Sequence, residues 1–487
     1  MSGGPAAGET LATRLRAARG PLAAWVALCL LLALVASRMQ PMQSPDEQQH
    51  VVRAWLLAHG QWQLHAPGTM MSGGDIDAHF HDYAHGMLRG WAGEPELRTP
   101  PSRITELRTL RWRHDDERRF IQIPGTGYYL PLIYLPQAIG LRLGEALGWT
   151  IEGSYRLARL LAQMSTAALL VAAWMIARPQ RPPMLVLGLL VLPMTLFQFA
   201  APTIDGMTTG LALVMLALVW RPLATGAPLE TVALAALGVG LLVLVGARLH
   251  ALPMLALPLL LAWRTRQRRI ALLGLALLAA ILAWNAWAGA VTVDTRAVRA
   301  LSAAEIARHY LLAPWDFIAV LGRTLASEPW RDFMGQSFVG VLGWLDTPLP
   351  AGSYRWLGLG LFALVLPSLV GWHAAPRLPR LACAAMALPS TLIVFAALLA
   401  AWTPHPAEVI LGMQGRYLLL PALLACFALL PCAGAPDPHH PDRPGDAGER
   451  AESRWSRRLG WALLGGFATL SLQVLMSTLS VRYGGAS

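Results

Sequence analysis

Apolar runs of near-membrane length recur along the whole chain, and they restrict its fold more than any other feature. They lie at 21–37, 157–177, 184–201, 204–220, 231–247, 249–263, 270–290, 356–372, 381–402, 416–432 and 459–480. Each is near or somewhat short of the roughly 20 residues that a helix needs to cross a bilayer. In hydrocarbon every backbone N–H and C=O must be satisfied internally, so runs of this kind read as helices. Only 14% of the 487 residues are charged, where a soluble protein carries roughly a quarter. The expected fold class is all-α, a polytopic transmembrane helical bundle of about eleven spans.

The charges orient the bundle. All 39 basic residues are Arg, with a formal net charge of +11, a bias that points to a GC-rich bacterial genome. With the N-terminus in the cytoplasm, Arg178/Arg181, Arg221, Arg264 to Arg269, Arg377/Arg380 and Arg454/Arg457/Arg458 all fall on the cytoplasmic side, as the positive-inside rule requires. The expected location is thus the bacterial inner membrane, and the basic excess orients spans instead of binding nucleic acid. Val35-Ala36-Ser37 loosely resembles a signal cleavage site, but the acidic motif that follows favours an uncleaved first helix. Tyr128 to Leu147 is apolar yet broken by Pro131, Pro136 and Arg142. Were it to cross, every later basic loop would face outward, so it reads as an interfacial helix. The organisation expected is a cytoplasmic 1–20, a transmembrane domain 21–432 with outer segments 38–156 and 291–355, a disordered cytoplasmic linker 433–458, and a last helix with an outer C-terminus, 459–487. Cys29, Cys383, Cys426 and Cys432 sit in or beside apolar runs and read as packing residues.

Several polar groups stand out against this background. In Ser44-Pro45-Asp46-Glu47, Ser44 suits a helix cap and Pro45 its first turn, and on that helix Asp46, His50 and Arg53 would share a face. Two adjacent carboxylates directly after a span can bind a divalent cation or act as a general base toward an acceptor hydroxyl; the bland alternative is acidic residues favoured by the helix dipole. Asp75, Asp77, His79, His81, Asp82 and His85 form a cluster in which His81 and His85 have the i,i+4 spacing of a metal site, although Asp and His are also ordinary in a solvated loop. Arg248 is the single charge between Glu230 and Arg264. Its planar fork matches phosphate oxygens, and the alternative is a snorkelling loop Arg. Asp205 is a lone carboxylate at a helix boundary, either functional or a cap. Met413-Gln414-Gly415-Arg416-Tyr417 puts an Arg on the outer side, against the usual bias. Carboxylates and arginines gathered at one face suit transfer from a phosphate leaving group.

At these residues the chain resembles the bacterial membrane-protein family numbered 2142 among the domains of unknown function. The matching pieces, in order, are Pro45-Asp46-Glu47 with His50 and Arg53, Tyr134-Leu135-Pro136-Gln137-Ala138, Arg156 to Arg159, Leu192-Pro193-Met194, Asp205-Gly206, Gly343-Trp344-Leu345-Asp346 and Gln414-Gly415-Arg416-Tyr417. The first and last are the most specific. The family is grouped by fold with the GT-C glycosyltransferases, so the resemblance implies a GT-C-like bundle with interfacial helices in its outer loops and polyprenyl-phosphate-linked sugar donors. It implies that Asp46 is the catalytic base with Glu47 beside it, and that Arg248 stands where members often carry Lys. A divalent cation, Mg or Mn, is compatible with the acidic pair.

The function expected is transfer of a sugar from a polyprenyl-phosphate donor to a cell-envelope glycan or lipid-linked acceptor on the outer face. Asp46 and Glu47 are the catalytic candidates; His50, Arg53, Asp205, Arg248, Gln414, Arg416 and Tyr417 are the substrate-binding ones. Trp55, Trp62, Tyr128, Tyr129 and Trp344 are candidates for stacking on sugar faces, or belt anchors. The bilayer, a lipid-linked sugar and a glycan acceptor are the expected partners. The competing readings are a glycan ligase or polymerase using polyprenyl diphosphate, and a transporter or flippase, against which stands the clustering of ionisable residues at one face and not at the midplane.

Overall fold

The computed structural model describes residues 11–91, 96, 98–113, 117–177, 182–296, 301–369, 376–430 and 446–484. The chain is an all-α membrane protein. Six helices are long and apolar enough to cross a bilayer: Arg19–Ala36, Ile151–Ile176, Asp205–Thr225, Arg268–Val291, Arg377–Ala401 and Trp455–Tyr483. The apolar runs between them form shorter helices, Thr231–Ala247, Leu249–Thr265 and Gly415–Leu429. Two further runs are interrupted: one gives Met184–Leu190 and Pro193–Ala200, the other Ala351–Ala363 and Leu366–Leu369. Proline explains the first break, because Pro193 has no N–H to continue a helix and stands where a new one can begin.

The last helix extends over Asp446–Tyr483. Residues 446–458, expected as part of a disordered linker, are therefore helical; residues 431–445, Cys432 among them, lie outside the described residues, as do Arg178 and Arg181. Cys383 and Cys426 are buried free thiols, as packing residues should be.

The segment 38–156 folds over the end of the bundle as a small layer of its own. It contains the helices Glu47–Ala58, Ala78–Arg89 and Pro101–Thr109, and a two-stranded antiparallel sheet pairing Gly73–Asp77 with Arg118–Gln122, Asp77 opposite Arg118. Trp55, Phe80, Tyr83 and Trp112 fill its core. Trp55, a sugar-stacking candidate by sequence, is 1% exposed and stacks on His59 and Trp112. It is a packing residue.

The interfacial helix at 128–147 is a 3₁₀ turn, Pro131–Tyr134, followed by Leu135–Ala146. Twelve residues rise about 18 Å, too little for a hydrocarbon core of about 30 Å. Leu135, Ile139, Leu143 and Leu147 are exposed at i,i+4 spacing, an apolar stripe that suits lipid. The opposite face carries Gly140 and Gly144, and there the backbone lies directly on Ile151–Ile176: a Cβ at Gly140 would come 2.4 Å from the Cα of Ala158. Small residues four apart allow this close approach of helices.

Candidate functional site

After the first span the chain turns through two non-glycine residues in the left-handed region, Met42 at φ 63° and Asp46 at φ 61°. Such residues cost on the order of 1–3 kcal/mol each and persist where the surroundings over-determine them. Glu47 is what determines this turn. Its carboxylate accepts the N–H groups of Met42 (3.1 Å) and Ser44 (2.8 Å) and the hydroxyl of Tyr155, and Arg159 lies 3.6 Å away. The helix accordingly begins at Glu47, not at Pro45, and the Asp46 side chain makes no cap hydrogen bond. Left uncommitted to the helix, it turns the other way, to Arg416.

Four side chains from four segments then form a chain of ion pairs. Arg416 donates through Nη2 to Asp46 and through Nη1 to Asp205 (3.4 Å) and the Pro45 carbonyl (3.4 Å). Arg248 donates to the other oxygen of Asp205. Gln414 orients the shared cation by accepting from Arg416 Nε at 2.7 Å. The aromatic faces complete the cradle, with Arg248 over Tyr129 at 5.5 Å and Arg416 over Tyr417 at 5.1 Å. Exposure separates the two carboxylates: the Asp46 side chain is 39% accessible, Asp205 18%. Asp46 is thus the more accessible carboxylate, and Asp205 the one paired with both arginines.

Burial acts to raise the Asp46 pKa, but Arg416 and the other positive charges nearby outweigh it and hold the group below its ordinary value. His50 donates to or accepts from Tyr134 through Nδ1 at 2.8 Å and packs along Tyr129. Burial pushes its pKa down to about 4, so it is a neutral imidazole at pH 7. Beneath the arginines lies a cavity of about 40 Å³, lined by Asp205, Arg248, His250, Arg416, Tyr417 and apolar side chains, room for roughly a water or two.

The structure therefore brings together Asp46, His50, Asp205, Arg248, Gln414, Arg416 and Tyr417. It does not bring Glu47 or Arg53 to the cleft. Glu47 is fully buried among Tyr155, Arg159 and backbone N–H groups. Arg53 is 1% exposed and donates to the carbonyls of Gln61 (3.0 Å) and Trp62 (2.6 Å), tying down the chain that leaves its own helix. Most of the Asp/His cluster disperses: Asp77 caps the helix Ala78–Arg89, Asp75 pairs with His65, His79 meets the Arg111 carbonyl and Asp82 meets Arg119, while His81 and His85 stay together with ring centroids 4.9 Å apart and Asp82 lies 3.5 Å from His81. Among the described residues no three His, Cys, Asp or Glu side chains form a metal-ligand set. Asp46 and Glu47, from which a divalent cation would draw its ligands, point apart.

Two contributors escaped the sequence reading as site residues: Tyr134 and His250. Tyr134 lay within a motif but reads as one aromatic among several. His250 was visible only as a neighbour of Arg248.

The model of the family described as "Predicted membrane protein (DUF2142)" matches residues 29–425. A similar solved structure is that of ArnT from Cupriavidus metallidurans bound to undecaprenyl phosphate, with 15% identity and a TM-score of 0.35, covering 96% of this chain and 75% of that one. No curated protein matches this chain in sequence.

Proposed function

This chain belongs to the DUF2142 family of predicted membrane proteins, and from that premise and its paired carboxylates and arginines we propose that it is a glycosyltransferase of the bacterial inner membrane. It moves a sugar from a polyprenyl-phosphate donor to a glycan or lipid-linked acceptor on the outer face. The observation that carries this reading is the Asp46–Arg416–Asp205–Arg248 chain of ion pairs, in which the more accessible carboxylate pairs with one of two arginines that a half-buried carboxylate joins.

In the transfer, Asp46 takes the proton of the acceptor hydroxyl as that oxygen bonds to the sugar's anomeric carbon. The bond from that carbon to the phosphate oxygen breaks, and the lipid phosphate leaves with the electron pair. Arg416 and Arg248 stabilise the charge that develops there, a fixed electrostatic contribution that needs no reorganisation of solvent. Arg416 serves both partners, so its release from Asp46 toward the phosphate restores the basicity that the ion pair suppresses. The exposed stripe on Leu135–Ala146 forms the lipid-facing edge of the cleft. A divalent cation finds no ligand set among the described residues, and none of these steps is assigned to one.

The test is sugar transfer by membranes containing the wild type or Asp46→Asn at matched expression, supplied with polyprenyl-phosphate sugars and envelope acceptors. Removing a general base lowers the rate by about 10²–10⁴-fold. Equal transfer by both proteins overturns the assignment of Asp46.

A further inference from the structure

The segment after the span Arg268–Val291 is laid across the layer formed by 38–156. Val293 N–H donates to Ser72 Oγ (2.8 Å), Ser72 N–H donates to the Val293 carbonyl (2.9 Å), and Trp284 donates to the Tyr128 carbonyl (3.0 Å). These bonds deliver Arg296 to a built position. Asp294, whose side chain is 3% exposed, accepts from its Nε at 2.8 Å and its Nη2 at 2.6 Å, and the guanidinium lies 4.7 Å over the ring of Trp402. Its Nη1 donates to nothing among the described residues. Both Nη1 and Nη2 lie against Gly125, where a Cβ would come 3.1 Å from each and 3.4 Å from Gln49 Oε1. Asp46 is near enough for Arg296 to feel its charge.

Asp46 is the more accessible carboxylate of the ion-pair chain, and Arg296 stands beside the first turn of the helix that follows it, where Gln49 also borders Gly125. Arg248 and Arg416 are engaged with the carboxylates of that chain. Arg296 is paired with a carboxylate of its own segment and keeps an Nη1 that no described residue accepts from, a donor that a carboxylate or phosphate oxygen can meet.

We propose that Arg296, braced by Asp294 and Trp402, is an oxyanion site for an acidic group on the water-side substrate, which makes the acceptor an anionic saccharide. The inference rests on the glycosyltransferase reading for the word acceptor, but the site itself is a matter of binding. Gly125, with no side chain, lets the guanidinium lie against the backbone, and Trp402, 40% exposed, offers an aromatic surface for the sugar ring beside it.

The experiment measures binding to the full chain in nanodiscs by saturation-transfer NMR, with three probes: a hexuronic-acid disaccharide, its neutral hexose counterpart and farnesyl phosphate. The wild type is expected to bind the acidic disaccharide about tenfold more tightly than the neutral one. Arg296→Gln removes that preference, Arg296→Lys keeps part of it, and both bind farnesyl phosphate as the wild type does, which shows that the variants are folded. Absence of an acidic preference in the wild type overturns the proposal, as does its persistence in Arg296→Gln. Loss of farnesyl phosphate binding with the saccharide preference intact also overturns it and moves Arg296 to the lipid phosphate. Because no turnover is needed, failure of the Asp46→Asn transfer test leaves this result readable.

Discussion

Glu47→Gln separates the two halves of the acidic pair. In the native chain the Glu47 carboxylate is fully buried, receives two backbone N–H groups and the Tyr155 hydroxyl, and stands 3.6 Å from Arg159. Glutamine preserves the volume but removes the charge. Arg159, with a side chain 9% exposed, then keeps only Tyr155 and the Ala36 and Met39 carbonyls, at 3.2 and 3.5 Å. Removing one member of a buried ion pair typically costs about 3–5 kcal/mol, because the other charge stays desolvated. At about 2.1 cal/mol/K of unfolding entropy per residue, a chain of this length melting as one unit would lose about 3–5 °C. The assay is thermal unfolding in nanodiscs followed by tryptophan fluorescence. The double variant Glu47→Gln/Arg159→Met, which buries neither charge, should lose less than the sum of the single variants. A Glu47→Gln protein that melts with the wild type, or a double variant equal to that sum, refutes the structural role assigned to this carboxylate.

Lowering the pH tests His50. Its folded pKa lies below its unfolded one, so the unfolded chain binds the extra proton between about pH 6.5 and 4. The stability associated with the neutral imidazole is complete above that window and is lost as pH falls through it, by up to about 3 kcal/mol. His50→Gln should flatten that part of the melting-temperature profile. Gly415→Ala places a Cβ 2.2 Å from the Met334 carbonyl and the Phe338 amide, backbone atoms that cannot rotate away. Overpacking of about 1–3 kcal/mol beside Arg416 should lower both melting temperature and sugar transfer. Arg248→Lys keeps the charge but loses the fork that meets Asp205 and the plane that lies over Tyr129; transfer should fall about tenfold, with protein yield unchanged.

The bilayer makes much of this chain legible in one dimension. Hydrocarbon excludes unpaired backbone and penalises charge, so apolar runs declare their helices, and Asp205, Arg248 and Arg416 stand out as lone ionisable residues at span boundaries. The same reasoning identifies Tyr128 to Leu147 as a segment that does not cross, and the structure gives it a helix of 12 residues with a lipid-suited stripe. Where the chain is polar for long stretches this contrast disappears. The Asp/His cluster between 75 and 85 reads as one site in sequence, yet a strand and a helix send its members to different partners.

What only the tertiary structure decided is the division of labour within Pro45-Asp46-Glu47. Two neighbouring carboxylates are alike to any reading of composition or spacing. A left-handed φ at Asp46 and the reach of Tyr155 and Arg159 from a helix more than 100 residues later turn one toward water and arginine and the other into the core. Arg296 is a similar case: Asp294, two residues before it, is visible in sequence, but Ser72 and Trp402, which fix its segment and its guanidinium, are brought to it only by the fold. The solvent around the chain determined its spans, while the direction of each side chain at the site depended on contacts between residues far apart along it.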